Sequence, residues 1–357
     1  MITREWPLVP VYATAGAFLM VAGLGEPRTA WHAALSFVWL FATITWAAFA
    51  VVRHAEALAE ILGEPFGTLI LTFAITAIEV MMIAAVMLTG PEVSTLARDT
   101  MFAVIMIVFN GMAGLTLLVG GLRYHEQTYN LQGANAFLAV TIPLAVLGLV
   151  LPNFTQAPGP TLSRLHEVFL MVMSVALYAV FLAIQTLRHR HYFVEEEPEK
   201  GPATPDLRPA YYHGTVLVLY IVPIIVLAKE IAGPMHYGVS VAGAPAGLVG
   251  FAVAVLILSP ESLGAVRAAL ANQLQRSINL LLGSVLASIS LTIPAVLAIA
   301  MLTGRTVVLG LDAVDVVLLV LTLGMTVLTY GSGRTNILLG AVHLLLFFTY
   351  LALILDR

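Results

Sequence analysis

Apolar residues in this chain come in runs of about twenty, broken by short polar clusters. A helix needs roughly 20 apolar residues, at 1.5 Å rise each, to cross the hydrocarbon core of a bilayer. On that scale the pattern predicts eleven helices, near residues 8–24, 31–52, 66–89, 99–122, 133–151, 162–187, 212–231, 244–266, 277–302, 311–331 and 334–355. Turn signals stand in the connectors, at Gly25-Glu26-Pro27, Gly63-Glu64-Pro65, Gly90-Pro91, Gly304 and Gly331-Ser332-Gly333. Only one polar segment is long, Arg188 to Pro209, and it carries Glu195, Glu196, Glu197, Glu199 and Asp206. It separates six predicted helices from five. Setting the first helix aside leaves two sets of five. An odd number of crossings per set turns the second set upside down relative to the first, a common transporter plan. The expected fold class is an all-α polytopic membrane protein with about eleven transmembrane helices. Along the chain this reads as an extra N-terminal helix in 1–30, a first five-helix repeat in 31–187, an acidic cytoplasmic loop in 188–211 and a second, inverted five-helix repeat in 212–357.

Composition agrees with a bilayer as the solvent. Apolar residues make up 60% of 357 and charged residues 10%, against about 25% charged in soluble domains. The net charge of −4 argues against a nucleic-acid partner. Without cysteine the chain has no disulfide, thiol nucleophile or Cys-ligated metal. Arg4 and Glu5 cancel where a signal peptide would be basic, so the first apolar stretch is expected to stay as a membrane helix. Ten of the sixteen basic residues fall on one side of the predicted topology, which puts the N-terminus and the acidic loop in the cytoplasm and the C-terminus outside.

Two carboxylates lie within apolar sequence, Glu79 and Glu261. An acid at mid-span costs about 2.5–3.5 kcal/mol on insertion scales, and such residues mark ion or proton pathways. Thr68, Thr72, Thr76 and Glu79 are spaced by 4, 4 and 3, so they share one helical stripe. The alternative for the threonines is back-bonding to their own helix or packing between helices. Pro260 precedes Glu261 and is expected to kink or break its helix, freeing carbonyls beside a carboxylate with Ser259 and Ser262 adding hydroxyls. The alternative is that Pro260 ends the helix and Glu261 opens a loop. Gly243-Ala-Pro-Ala-Gly247 echoes Gly63-Glu-Pro-Phe-Gly67 ahead of the two glutamates. Arg98 and Asn110 are twelve apart, as are Arg276 and Ser288, and Ser277, Ser284, Ser288 and Thr292 form a second hydroxyl stripe. Singly these polar groups fit helix packing as well as ion coordination; their symmetric placement around Glu79 and Glu261 favours coordination.

These stretches resemble the cation/proton exchanger branch of the calcium:cation antiporter superfamily, in particular the ChaA-type bacterial antiporters. The likeness is carried by Gly67–Gly90, Ala97–Gly111, Gly120–Gln127, Ser259–Asn272 and Leu282–Pro294. The resemblance implies two α-repeats whose central glutamates, here Glu79 and Glu261, bind the cation and the competing protons, with Asn110 and Ser288 as the polar positions of the following helices. It implies a bacterial inner-membrane antiporter exchanging Ca²⁺, Na⁺ or K⁺ for protons by alternating access. The ion is cargo and no cofactor is expected. Where the wider family has Gly-Asn-Ala before each glutamate, this chain has Ile75-Thr76-Ala77 and Ile257-Leu258-Ser259, and Ser262 stands where a histidine often follows. These departures imply fewer oxygen ligands and leave the choice of ion open. The expected site is thus Glu79, Glu261, Thr76, Asn110, Ser259 and Ser288, supported by Thr72, Pro260 and Ser284.

Two other classes fit a polytopic chain. A channel needs a continuous polar pore and a repeated filter, and an intramembrane enzyme needs a nucleophile–base pair or a metal cluster; no such pattern is visible. His125-Glu126 and His166-Glu167 read as interfacial or as gating elements, Lys229-Glu230 as a snorkelling or local pair, and the Glu195–Glu199 run as a solvated loop or a cation-recruiting one. Oligomeric state is not legible.

Overall fold

The computed structural model describes residues 5–21, 23–63, 66–89, 94–193 and 208–356. Within them the chain is nearly all helical: α1 (Leu8–Met20), α2 (Ala30–Leu62), α3 (Phe66–Thr89), α4 (Leu96–Tyr124), α5 (Leu131–Leu149), α6 (Arg164–Arg188), α7 (Ala210–Ser240), α8 (Gly247–Leu270), α9 (Leu274–Thr303), α10 (Ala313–Tyr330) and α11 (Ile337–Leu355). Ten of these are long and apolar enough to cross a membrane, and α1, at 13 residues, is shorter. Side-chain caps start several of them: Thr29 accepts from the His32 amide, Asn130 from the amides of Gln132 and Gly133, and Asn336 from that of Leu339. The acidic run 195–206 lies outside the described residues.

Two helices run about ten residues past their predicted ends. α2 continues from 52 to Leu62 because Ala, Glu and Leu after His54 are strong helix formers and the polar pair Arg53-His54 finds partners. α7 continues to Ser240 through Pro223 and Pro234. Gly233 lies against the backbone of Gly25 there.

The helices sort into two compact units, each built from both halves of the chain: Met1–Leu96 with Ala203–Pro260, and Ala97–Pro202 with Glu261–Arg357. The chain leaves one for the other inside α8, at Pro260–Glu261.

In the first unit α2 packs along α7, and α3 packs on both. One end of the α2–α7 pair is tied by Glu5. Its carboxylate accepts from Arg53 Nη2 at 2.8 Å, Tyr220 at 3.2 Å and Tyr212 at 3.3 Å, and lies 3.3 Å from His54 Nε2 and 3.9 Å from Arg208. On its other side His54 Nδ1 meets His213 Nδ1 at 3.0 Å.

In the second unit α4 and α11 approach backbone to backbone at Gly114 and Gly340. Small residues at such crossings let membrane helices close on one another where no hydrophobic drive exists between them. α9 packs on α4, α5 and α6, and α10 on α5 and α11. Two-residue strands β1 (Gln127–Thr128) and β2 (Arg334–Thr335) pair antiparallel; they are too short to leave a periodic signal. Loop contacts fall into two groups. Tyr124 reaches the Leu270 carbonyl at 2.8 Å and Gln127 that of Ala269 at 3.0 Å, whereas Arg98 reaches Gly310 at 3.2 Å and Asn153 reaches Leu311 at 2.6 Å. Residues 123–127, 267–272 and 334–335 were expected on one side of the membrane, and residues 98 and 305–312 on the other. The grouping agrees. Burial pushes the phenol of Tyr129, just after β1, above its ordinary value.

Candidate functional site

α3 carries no proline, and no glycine after Gly67, so its apolar sequence runs as one uninterrupted helix. Glu79 sits in its second half with 1% of its surface exposed, next to the buried Ile78, Met82 and Ile83. Thr76, one turn earlier, is also buried, and Thr72, one turn before that, is half-buried. The stripe therefore faces protein at Thr76 and Glu79; the side chain of Thr68 lies outside the described residues. Burial against neighbouring helices, away from lipid, is the usual environment of an acid retained at this depth.

α8 does not stop at Pro260. It runs on to Leu270, so Glu261 is a helical residue and the loop-opening alternative is excluded. Proline still removes one backbone donor from the ladder and crowds the carbonyl four residues back. Ser259 donates its hydroxyl to the Val255 carbonyl, the back-bonding mode, which leaves its oxygen lone pairs as its remaining capacity. In the second unit Ser284 of α9 donates to Glu261 Oε2. Thus the structure brings together two of the residues singled out from sequence, Glu261 and Ser284, from helices 23 positions apart.

The α9 hydroxyl stripe is buried throughout, at Ser277, Ser284, Ser288 and Thr292. The hydroxyls of Ser277, Ser290 and Thr292 have no hydrogen-bond partner among the described residues. Such unmet groups cost about 1–3 kcal/mol each, and an oxygen lined up with others in a helix interior is suited to a cation. Both polar positions of the helices that follow the glutamates lie in wide turns with i→i+5 bonding: Asn110 in Met106–Met112, and Ser288 at the start of Ser288–Thr292. Turns of this kind recur at functional sites because they displace carbonyls from the regular ladder. No residue pattern announces them.

Asn110 is fully buried, and its amide goes to residues that sequence reasoning did not single out. Its Nδ2 donates to Thr322 Oγ1 at 2.8 Å and lies 3.5 Å from Met106 Sδ, and its Oδ1 lies 2.9 Å from His343 Nδ1. His343 Nε2 in turn lies 2.9 Å from Thr329 Oγ1. The one signal that could have found His343 is its isolation as the single histidine, with no acid or base beside it, within the apolar run of α11. Among the described residues no group of three or more His, Asp or Glu could hold a resident metal. His125 and Glu126 end α4 and are exposed, with Glu126 3.9 Å from Arg334; Ser163 and His166 cap the start of α6. These are end-of-helix roles.

Known proteins resemble this chain along most of its length. Residues 32–187 match the family described as sodium/calcium exchanger protein. The chain is 45% identical over 314 residues to a putative ionic transporter, y4hA, of Sinorhizobium fredii, covering 87% of this chain and 86% of that one. It is 41% identical over 312 residues to the sodium-potassium/proton antiporter ChaA of Escherichia coli, covering 85% and 84%. The solved structure of native YfkE superposes with a TM-score of 0.77 at 17% identity, over 98% of this chain and all of that one, a likeness of fold.

Proposed function

We propose, from the premise that this chain belongs to the sodium/calcium exchanger family and to its ChaA-type cation/proton branch, that it exchanges a metal cation for protons by alternating access, with Glu79 and Glu261 as the groups for which the two compete. One observation carries the reading: Glu79, an acid in an apolar span, is almost wholly buried. Glu261 with its Ser284 donor, Ser288 and the unpartnered α9 hydroxyls support it as a second cluster of oxygens in the other unit. Thr76, Ser259 and Asn110 are read as neutral oxygen ligands, with Thr72 and Pro260 shaping their helices. The Escherichia coli relative's name supports Na⁺ and K⁺ among the cargo, and that of a Bacillus subtilis relative, a Ca²⁺/H⁺ antiporter 22% identical over 284 residues, supports Ca²⁺.

The coupling follows from electrostatics. An ionised carboxylate in a low dielectric is costly unless something neutralises it. A site with both acids charged and no ion therefore resists crossing between inward- and outward-facing states. Protons neutralise it one way and a cation another, so each loaded form reorients and the empty form does not. Exchange results without any covalent step.

We read 31–187 and 212–357 as inverted repeats. Each half of the chain contributes to each unit, and each has a wide turn at the polar position twelve residues after an arginine. The basic-residue bias puts the N-terminus and 188–211 in the cytoplasm, supported by Glu5, Arg53 and Arg208 meeting at one end of the first unit.

The test uses purified protein in vesicles loaded with a pH-sensitive dye, to which Na⁺, K⁺ or Ca²⁺ is added. Wild type should release protons on cation addition, with apparent cation affinity falling as pH drops. Glu79→Gln and Glu261→Gln should abolish coupled flux while the protein still folds. Wild-type flux in both variants would sink the mechanism.

A further inference from the structure

We infer that His343 is a positioning residue for the ion site: it fixes the Asn110 amide in the orientation that offers a cation an oxygen. The inference rests on the reading of Asn110 as a cation ligand.

A side-chain amide has two donor hydrogens and two acceptor lone pairs. Both donors of Asn110 are occupied, by Thr322 Oγ1 at 2.8 Å and by Met106 Sδ at 3.5 Å. One acceptor site is occupied by His343 Nδ1 at 2.9 Å. The one remaining capacity is a lone pair on Oδ1. A carbonyl oxygen carries no hydrogen, so His343 Nδ1 must be the donor in this contact. In a neutral imidazole Nε2 is then an acceptor, and it faces the Thr329 hydroxyl at 2.9 Å, which can donate. Every group in the run from Thr329 through His343 and Asn110 to Thr322 thereby has a consistent direction. All four are fully buried, so water does not supply a substitute.

Turning the amide over reverses this. Oδ1 would face Thr322 and Met106, and the NH2 group would face His343. The spare capacity would become an N–H, which repels a cation. The two orientations differ little in shape, so packing alone does not choose between them. With the Thr329 hydroxyl donating to Nε2, the Nδ1–H of His343 does. α11, which carries His343, lies outside the two glutamate helices and the helices that follow them.

The experiment measures half-saturating cation concentration and maximal flux in the dye-loaded vesicles at one pH, with thermal melting of each variant alongside. His343→Leu and His343→Met remove the donor, and one that folds suffices. His343→Asn keeps an N–H near the position of Nδ1. The apolar variants should raise the half-saturating concentration about tenfold, the scale of one lost hydrogen bond, with maximal flux little changed. His343→Asn should restore it. In an Asn110→Ala background the His343 substitutions should add nothing further, because there is no amide left to orient. A purely structural histidine gives the other pattern: lower melting temperature, lower maximal flux, unchanged half-saturation, and effects that add to Asn110→Ala. That result, or wild-type half-saturation in the folded apolar variant, overturns the inference. If Asn110→Ala itself leaves half-saturation unchanged, the ligand reading of Asn110 fails first and takes this inference with it.

Discussion

Replacing Gly340 by alanine tests the α4–α11 contact on which the buried polar run depends. A β-carbon built on Gly340 would lie 2.6 Å from the Leu118 amide nitrogen, 2.9 Å from the Gly114 oxygen and 3.1 Å from the Leu117 carbonyl carbon. Contacts of this kind are comfortable at about 3.5–4.0 Å. The neighbours are backbone atoms of a packed helix, which no rotamer change can move aside, so the helices must part by about 1 Å there. Overpacking on this scale costs about 1–3 kcal/mol, and alanine recovers up to about 1 kcal/mol of helix propensity. The net expectation is a loss of about 1–2 kcal/mol. The same displacement acts on function. His343 is three residues beyond Gly340, and Asn110 is four before Gly114. Stretching their 2.9 Å contact by about 1 Å takes it out of hydrogen-bonding range. Gly340→Ala should therefore melt earlier in detergent and require more cation for half-maximal proton release. Gly324→Ala is the control: a β-carbon there meets nothing within 4 Å, so it should melt no earlier than wild type, gaining up to about 1 kcal/mol of helix propensity, and half-maximal proton release should need no more cation. If Gly340→Ala melts and transports like wild type, the close approach is not what holds α11 in register.

Three further outcomes are expected. Ser284→Ala removes the hydroxyl donated to Glu261; a bond to a charged acceptor is worth about 1.5–3 kcal/mol, so at fixed pH apparent cation affinity should fall at least about tenfold, and an unchanged value would exclude Ser284 from the site. Ser288→Ala should weaken cation affinity while leaving the melting temperature within about 0.5 kcal/mol equivalents of wild type; a stability loss with intact affinity would make Ser288 packing glue. A cysteine introduced at position 200 should resist an impermeant thiol reagent added to intact cells, and rapid labelling would reverse the proposed orientation.

Most of the helix plan was legible because a bilayer asks one simple thing of sequence, twenty apolar residues in a row. That demand says little about ends. Arg53 and His54 look like a helix terminus on hydropathy, and only their partners, Glu5 and His213, far away in sequence, explain why α2 carries them inside a longer helix. Glu79 and Glu261 were legible for the converse reason: an acid is conspicuous where lipid or packed helices should exclude it. Asn110 was singled out by its spacing, but its partners Thr322 and His343 were not, since they come from helices more than 200 residues away. Threonine is common in apolar helices and gives no warning of the role. Pro260 misled in part: a proline predicts a break, whereas the helix passes through it.

The wide turns at Met106–Met112 and Ser288–Thr292 have a consequence for the spelling of the chain. An i→i+5 ring holds one amino acid more than an i→i+4 ring, so each such turn carries a surplus letter relative to a plain α-helix of the same length. Deleting one residue from the turn would let the ladder close as ordinary α-helix and leave the flanking turns with their own bonds intact. The same deletion in a stretch of plain α-helix would instead rotate everything downstream against everything upstream by about 100°, one residue's share of a 3.6-residue turn. Arg98 and Asn110, or Arg276 and Ser288, would then no longer keep their relative bearings around the helix axis. A sequence comparison that treats these helices as uniform would put its gap anywhere along them; the geometry says that a single-residue length difference belongs at 106–112 or 288–292.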